Sequence, residues 1–573
     1  MKKSMLFSVA LAGLMLGSCS SSDDLNGSGT SENKNGNGYV AFTINLPSQS
    51  STGSRANDSF NDGLKSEYAV KDATLLLFSG ADEATASFVA AYKLSTSPWT
   101  DTAGDENNIT TTSKKVIQKV TQSSTNLKGL VILNNNNVFT VDETTNALKF
   151  NGTDFTGTYS DFLKKADATK DKTLTDNGFY MANAPLCSEA GETSAPSTSA
   201  KITTLADLEG KIYNTESEAQ AGEAAQIYVE RAVAKVTLSD PSSVTEADNG
   251  ATPKVSFKVT GWAIDNFNKT SYLVRNTDGM STWLGYKSKG VTDKGYRFVG
   301  SNAVATGLYR TYFAKDMNFD TEVSDFGRAD SYQAKYGNDN PQYCFENTFD
   351  VLRQIENQTT LVTIKAQLNN GADFYIVGGD QTKLYTKTEL ENLVKSKFMS
   401  VEESWIKSNQ KAGSTVAEGD LTVTFDTDDA GEIAIASITV EATKLNVGAT
   451  LPTSYKQDVA DAVGSLVHYK NGESYYTVRI KHFGDDLTPW KSGELNVKVG
   501  DVYPTTDQAE NWLGRYGVLR NNWYELSVTG VKGLGSATVP KLTKTTDDEL
   551  DSYIAVQINV LSWAKRTQST VLH

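Results

Sequence analysis

Tyr39-Val40-Ala41-Phe42-Thr43-Ile44-Asn45-Leu46, near the start of the chain, returns near its end as Tyr553-Ile554-Ala555-Val556-Gln557-Ile558-Asn559-Val560. In the first stretch Val40, Phe42, Ile44 and Leu46 share one face, the pattern of a half-buried strand, and Pro47 stops it. In the second, Ile554, Val556, Ile558 and Val560 present nearly the same surface, and Tyr, Ala, Ile and Asn coincide in register. Two readings follow. Either strands drawn from a small alphabet coincide, or both segments fit one kind of groove.

The chain between these strands reads as more of the same class. Short apolar runs bounded by polar turns predict strands at Ala73–Phe78, Gly129–Leu133, Ile227–Leu238, Val255–Trp262, Leu361–Gln367, Ile433–Glu441, Tyr475–Lys481 and Trp523–Val528. Helices are the minority. The best runs from Thr386 to Phe398, where Thr386 and Glu389 make a capping box and Leu390, Leu393, Val394 and Phe398 one stripe. The expectation is an all-β chain of β-sandwiches with short helical insertions. A boundary falls near 229, after the Ser/Thr/Ala/Glu-rich stretch 189–226, where a strand over 229–236 is long enough to run through the joint of two sandwiches.

A sandwich lacking one strand exposes an apolar groove and unpaired backbone groups, which something must cover. Residues 39–46 can fill such a groove in the uncut chain. Arg55, between small residues in Gly53-Ser54-Arg55-Ala56-Asn57, is an exposed trypsin-type site. A cut there leaves the strand held by noncovalent contacts alone, so a C-terminal strand of the next subunit can replace it. Main-chain pairing then supplies affinity and the alternating side chains specificity. Burying four such side chains is worth about 6 to 12 kcal/mol at most. Donor and groove lie at opposite ends of the chain, so the contact is heterologous and makes a filament. Loss of residues 1–55 removes four basic and three acidic residues, moving the net charge only from −15 to −16. Control must come from the groove.

The address precedes all this. Lys2 and Lys3 followed by the apolar run 6–16 read as an export signal over residues 1–18, too short to span a bilayer. Leu16-Gly17-Ser18-Cys19 resembles the lipobox of bacterial lipoproteins, making Cys19 the lipidation site, and the polar, acidic 20–24 that follow resemble the surface-export signal of Bacteroidota lipoproteins. Residues 26–38 are a Gly/Asn/Ser linker that lets the body stand off the membrane.

With these residues go VERAVAKV at 229–236, GWAIDNFNKTSYLVRN at 261–276, YCFENTF at 343–349, KHFG at 481–484 and GVLRNNWYELSVTGVKGLG at 517–535. In this order they resemble the minor-fimbrillin family of Bacteroidales, subunits of the type V pilus shaft. The resemblance implies two transthyretin-like β-sandwich domains, at 56–228 and 229–573, behind a lipidated propeptide 19–55 that carries the removable strand 39–46. It implies cleavage between Arg55 and Ala56 by a trypsin-like, arginine-specific protease and polymerisation by C-terminal strand exchange. The donor is 553–563, the tail 564–573, or both. The partners implied are identical subunits in a head-to-tail filament, accessory tip and anchor fimbrial proteins, and the outer membrane through the lipid before cleavage. The function implied is that of a surface fimbria supporting adhesion and biofilm formation. A non-polymerising surface lipoprotein that binds glycans or host proteins is the alternative, and a tip or anchor subunit a third case.

Composition agrees with a structural role. A net charge of −15 repels phosphate, so no nucleic-acid partner is expected. His468, His482 and His573 lack metal-ligand spacing, there is no Cys-x-x-Cys, and no phosphate loop or nucleophile elbow occurs. No enzyme activity, metal or cofactor is expected. Cys187 and Cys344 are two buried thiols or one bridge. Asp426-Thr427-Asp428-Asp429-Ala430-Gly431 starts like a calcium loop, but Ala430 and Ser437 stand where ligands are needed, so an acidic turn is expected. His482 reads as a strand-end residue held by packing. Trp99, Trp283 and Trp490 suit a sandwich core better than a glycan site.

Overall fold

The computed structural model describes residues 36–46, 63–95, 113–122, 126–165, 168–169, 174–175, 178–191, 194–286, 296–322, 325–483 and 513–544, and the backbone of 556–559 and 564–572. It is all-β, with sandwiched sheets, short helices and, among the described residues, a larger helical insertion over 387–463.

The first sheet is built from β1 (Gly36–Asn45), β2 (Ala73–Ser79), β3 (Ser87–Lys93), β4 (Ser113–Gln122), β5 (Leu127–Leu133), β6 (Met181–Asn183), β7 (Ile212–Tyr213) and β8 (Ala225–Arg231). Their order is β7-β1-β8-β6-β5-β2-β3, with β4 on β1. β2 reads as a continuous apolar run because both its faces are buried. Leu75 and Leu77 join Val40, Phe42, Ile44, Val131 and Ile227 in one core, while Leu76 and Phe78 meet Phe150, Phe155 and Phe162 in another. The sheet wraps round the first core, and the Thr121 N–H of β4 donates to Tyr92 Oη of β3 at 3.1 Å. Of residues 189–226, which read as a polar boundary stretch, Ala206–Asp207 and β7 belong to this sheet and 216–221 form a short helix, while Ile202–Thr203 join a different one. Tyr213 and Ile212 pair with Tyr39 and Val40.

The strand expected over Ile227–Leu238 is two. At Ala232, whose N–H donates to Tyr180 O at 3.0 Å, the chain passes from β8 to β9 (Val233–Leu238) in another sheet. After it come β10 (Val255–Asp265), β11 (Gln342–Phe345), β12 (Leu361–Leu368), β13 (Phe374–Val377), β14 (Leu421–Phe425), β15 (Gly431–Ile433), β16 (Ile435–Val440), β17 (Leu466–Tyr469), β18 (Glu473–Arg479) and β19 (Asn522–Val531). Sheets β11-β9-β19 and β10-β12-β18 face each other. Ala234, Val236, Leu238, Trp262, Ile364, Tyr476, Tyr524 and Leu526 fill the space between them. Alternation gives the outer sheet a second allegiance, since Val233, Phe345 and Trp523 point the other way into the core that holds β1.

At the end of β10 the buried Asp265 carboxylate accepts Arg328 Nε at 2.7 Å and Nη2 at 2.9 Å, and the N–H of Ala329 at 2.9 Å, pinning a long connection to the sheet. Burial pushes this carboxyl up, but the Arg328 hydrogen bonds and the Ala329 N–H outweigh it and hold the group below the usual range. Its contribution is therefore present above the unfolded pKa of about 3.9 and lost as pH falls through the lower folded value. Asp265→Asn should lower stability at neutral pH and weaken its dependence on pH below about 4, measured by urea unfolding across pH.

Candidate functional site

The molecule's unusual feature is how β1 is held. It pairs antiparallel with β4 over ten residues, from Gly36↔Gln122 to Asn45↔Ser113. Its other edge pairs parallel with β8, from Phe42↔Ala225 to Asn45↔Tyr228, and antiparallel with β7. Val40, Phe42 and Ile44 are 0 % exposed and Leu46 4 %. Asn45 adds polar anchors, donating from Nδ2 to Gln226 Oε1 at 3.1 Å and to Ile227 O at 3.3 Å. Residues 39–46 are thus an interior strand, walled on both edges.

Among the described strands, β4 pairs with β1 alone. Besides that ladder, β4 is held by the Tyr92 bond, by Lys114 Nζ, which donates to Ser95 O at 3.2 Å, by Lys115 Nζ, which donates to Gln220 O at 2.8 Å and Gly222 O at 2.9 Å at the end of the short helix Glu216–Ala221, and by Val116 and Val120 against the core. Loss of β1 therefore opens a slot between β4 and β8. A strand taking its place must run antiparallel to β4, parallel to β8, and carry apolar residues at alternate positions.

Behind Arg55 the chain is fastened at once. Glu67, in the one-turn helix Lys65–Tyr68, is fully buried, and its carboxylate meets Lys235 Nζ at 2.8 Å and accepts the Tyr343 hydroxyl. Its own carbonyl accepts Arg231 Nε at 2.6 Å, and Arg231 Nη1 donates to Asn521 Oδ1 at 3.1 Å. Lys235 Nζ also sits 4.0 Å over the Trp523 ring. A second buried pair lies close in sequence, Glu230 with Arg275 at 2.8 Å, and Arg275 Nη2 donates to Arg520 O at 2.9 Å. These charges occupy the junction of β8 and β9.

At the other end, β20 (Val556–Asn559) lies antiparallel on the edge of β19, from Glu525↔Asn559 to Val528↔Val556. β21 (Ala564–Leu572) pairs with β20 and returns to β19 on either side of it, Trp523↔Lys565 and Val531↔Leu572. The tail thus forms a nine-residue strand. Its sequence, AKRTQSTVL, has no apolar face, whereas Val556 and Ile558 in β20 continue the alternation that a β1-like slot requires.

Of the residues singled out from sequence, Val40, Phe42, Ile44 and Leu46 come together in the slot; Val556 and Ile558 lie in β20. Cys19, Arg55, Ala56, Ile554 and Val560, with Trp99, Trp490 and His573, lie outside the described residues. Sequence reading missed β4, whose Val116 and Val120 are spaced for one face but sit among lysines and glutamines, and it missed Glu67. Cys187 and Cys344 are not bridged and are buried in separate clusters. Residues 426–430 form the expected turn, where Asp428 meets Lys387 Nζ at 2.9 Å. His482 is buried, with Nε2 donating to Asn347 O at 3.0 Å, and Trp283 packs partly buried on the sandwich core.

Residues 467–569 match the family model described as major fimbrial subunit protein type IV, fimbrillin, C-terminal. The fimbrillin resemblance read from the sequence is shown there. No curated protein sequence matches. The fold is similar to that of a candidate cell adhesion protein from Parabacteroides distasonis, at 10 % identity over 91 % of this chain and 96 % of that one, TM-score 0.36. A fimbrilin (fimA) from Porphyromonas gingivalis gives 11 %, 93 % and 98 %, TM-score 0.32. The tip fimbrial protein Mfa3 from Porphyromonas gingivalis gives 9 %, 92 % and 99 %, TM-score 0.30.

Proposed function

We propose that this chain is a structural shaft subunit of a bacterial surface fimbria, exported as a lipoprotein through Cys19, cut between Arg55 and Ala56, and joined head to tail by strand exchange. The single observation that carries this reading is β1, an interior strand placed ten residues before a trypsin-type site. The fimbrillin match over 467–569 supports it. The two sandwich units read from the sequence, 56–228 and 229–573, meet close to the β8–β9 junction, with β8 running on to Arg231. The incoming donor is the 553–573 segment of the neighbour, with Ile554, Val556, Ile558 and Val560 in place of Val40, Phe42, Ile44 and Leu46.

The exchange has a direction. On its own chain β20 has four ladder pairs with β19 and a second ladder with β21; β1 in the slot has ten pairs with β4 and four with β8. A donor that fills the whole slot has a longer ladder than β20 has on β19 and sets its apolar face against the slot, and it cannot leave again without breaking the whole ladder at once. Adhesion and biofilm formation follow from the fibre, with tip and anchor proteins as accessory partners. The rival reading, a lipoprotein that stays anchored and binds glycans or host proteins, is favoured by one fact: β20 and β21 cover an edge of their own chain.

Mild trypsin treatment, N-terminal sequencing and electron microscopy of the same sample separate the two. The expected product starts at Ala56, keeps its globular body and forms fibres. A chain that resists at Arg55 while other sites are cut, or one that is cut and stays monomeric, supports the anchored binder instead.

A further inference from the structure

β12 and β18 are antiparallel neighbours whose last pair is Gln367↔Glu473, yet about a hundred residues separate them. The chain leaves through Asn370-Gly371 and returns through Asn471-Gly472, all four with positive φ, 52°, 80°, 53° and 63°. Matched Asn-Gly turns thus carry two strands off the sheet side by side. Those strands are β13 and β17, paired from Phe374↔Tyr469 to Val377↔Leu466. Their ribbon has two faces. Phe374, Ile376 and Tyr469 pack on the main sandwich core, and Tyr375, Val377 and Leu466 face a different one.

That other core is self-contained. Its buried members, Leu390, Val394, Phe398, Ile406, Ile438 and Val459 among them, all lie between 375 and 466. They come from the helices Lys387–Val401, Glu403–Asn409 and Tyr455–Val463 and the hairpin β14–β16. None comes from the sheet that holds β1, or from β19. Where the ribbon ends, Gly378 N–H donates to Ser465 O at 2.7 Å, and Gly378 and Gly379 have φ of 61° and 76°. Two left-handed glycines after a paired Val377↔Leu466 are what a two-residue hairpin loop needs. Without 380–465 the chain reads Val377-Gly378-Gly379-Leu466, a closed hairpin.

We infer that residues 380–465 are an inserted module, separable from the sandwich that carries it and from both strands of the exchange. The sandwich folds without it, the module's core stands or falls alone, and it forms a surface of the subunit that joining does not use. The joining half of this inference rests on the function proposed above; the folding half does not. The module joins the base through Gln381, which accepts from Asn249 Nδ2 at 2.7 Å and from the Leu534 N–H at 2.9 Å, through β15, which pairs with β17 from Gly431↔His468 to Ile433↔Leu466, and through the Asp429 carbonyl, which accepts from His468 Nδ1 at 2.9 Å. Of its apolar side chains, Leu384 alone packs on the main sandwich core among the described residues.

Two variants test it. Deletion of 380–465 should leave one cooperative unfolding transition, shifted by less than about 5 °C. In the full chain, Phe398→Asp should abolish amide hydrogen-exchange protection within 380–465 and leave β10, β12 and β18 protected. Protection lost from β12 and β18 as well overturns the inference, and decides the matter where the deletion is insoluble; a soluble deletion without a cooperative transition overturns it too. After cleavage at Arg55 the deleted chain should form fibres as the intact chain does. Fibres from the intact chain alone would refute separability from joining, whereas no fibres from either would remove the proposed function and leave the exchange result to judge the module.

Discussion

Phe42→Asp combined with Ile44→Asp is expected to expel β1 and strongly destabilise the first sheet of the uncut chain. Both side chains are 0 % exposed. Truncating a buried Phe costs about 3 to 5 kcal/mol and a buried Ile about 2 to 5, before a carboxylate is forced into an apolar slot. The sum rivals the whole stability of a domain, about 5 to 15 kcal/mol. Phe42→Leu with Ile44→Val keeps the shape of the face and should cost far less. Urea unfolding measures both, and an unchanged midpoint in the double aspartate variant would show that the strand is not held in the slot. The same substitutions should have no effect on a chain that has been cut at Arg55 and has lost residues 1–55.

The second large effect is at Glu67. Glu67→Ala leaves the Lys235 ammonium, 1 % exposed, without its carboxylate, and takes the acceptor from the Tyr343 hydroxyl. Breaking a buried pair by removing one partner costs about 3 to 5 kcal/mol. Burial already pushes the Lys235 pKa down, and the neighbouring Glu67 is what opposes it. In the variant the folded pKa falls further below the unfolded value of about 10.4, so the unfolded chain binds more protons between the two. The deficit should shrink as pH rises through that window. Glu67→Gln, which keeps an acceptor oxygen, should lose less at neutral pH. A Glu67→Ala chain as stable as the parent, with the same pH profile, would mean that the segment behind the cut is not fastened there.

How far the sequence carried this picture depended on whether each feature was local. The period-two face of Val40, Phe42, Ile44 and Leu46 and the capping box at Thr386 and Glu389 are local, and both are legible. The helix begins at Lys387, with the Glu389 N–H on Thr386 Oγ1 at 3.3 Å. The break at Ala232 is not local. Residues 229–236 hold no Gly, Pro or turn residue and read as one long strand, and only the two sheets to which β8 and β9 belong put a break between them. β4 was hidden for a related reason: its Val116 and Val120 face the core, but Lys114, Lys115 and Lys119 make the stretch read as a solvated loop. Glu67 could not be found at all, since its partners Lys235 and Tyr343 are 168 and 276 residues away. The inserted module shows in sequence only as matched Asn-Gly pairs a hundred residues apart, a signal that acquires meaning once Gln367 and Glu473 are seen to be neighbours.

The central claim is that the slot emptied of β1 receives the C-terminal segment of another copy. The most direct measurement compares the intact chain with one ending before Tyr553, both cleaved at Arg55, by electron microscopy and size exclusion. The intact chain is predicted to form fibres. The truncated chain is predicted to remain monomeric, and a synthetic peptide spanning Tyr553 to His573 is predicted to bind the cut subunits and stop growth of the intact ones. Fibres of normal length from the truncated chain would contradict the account.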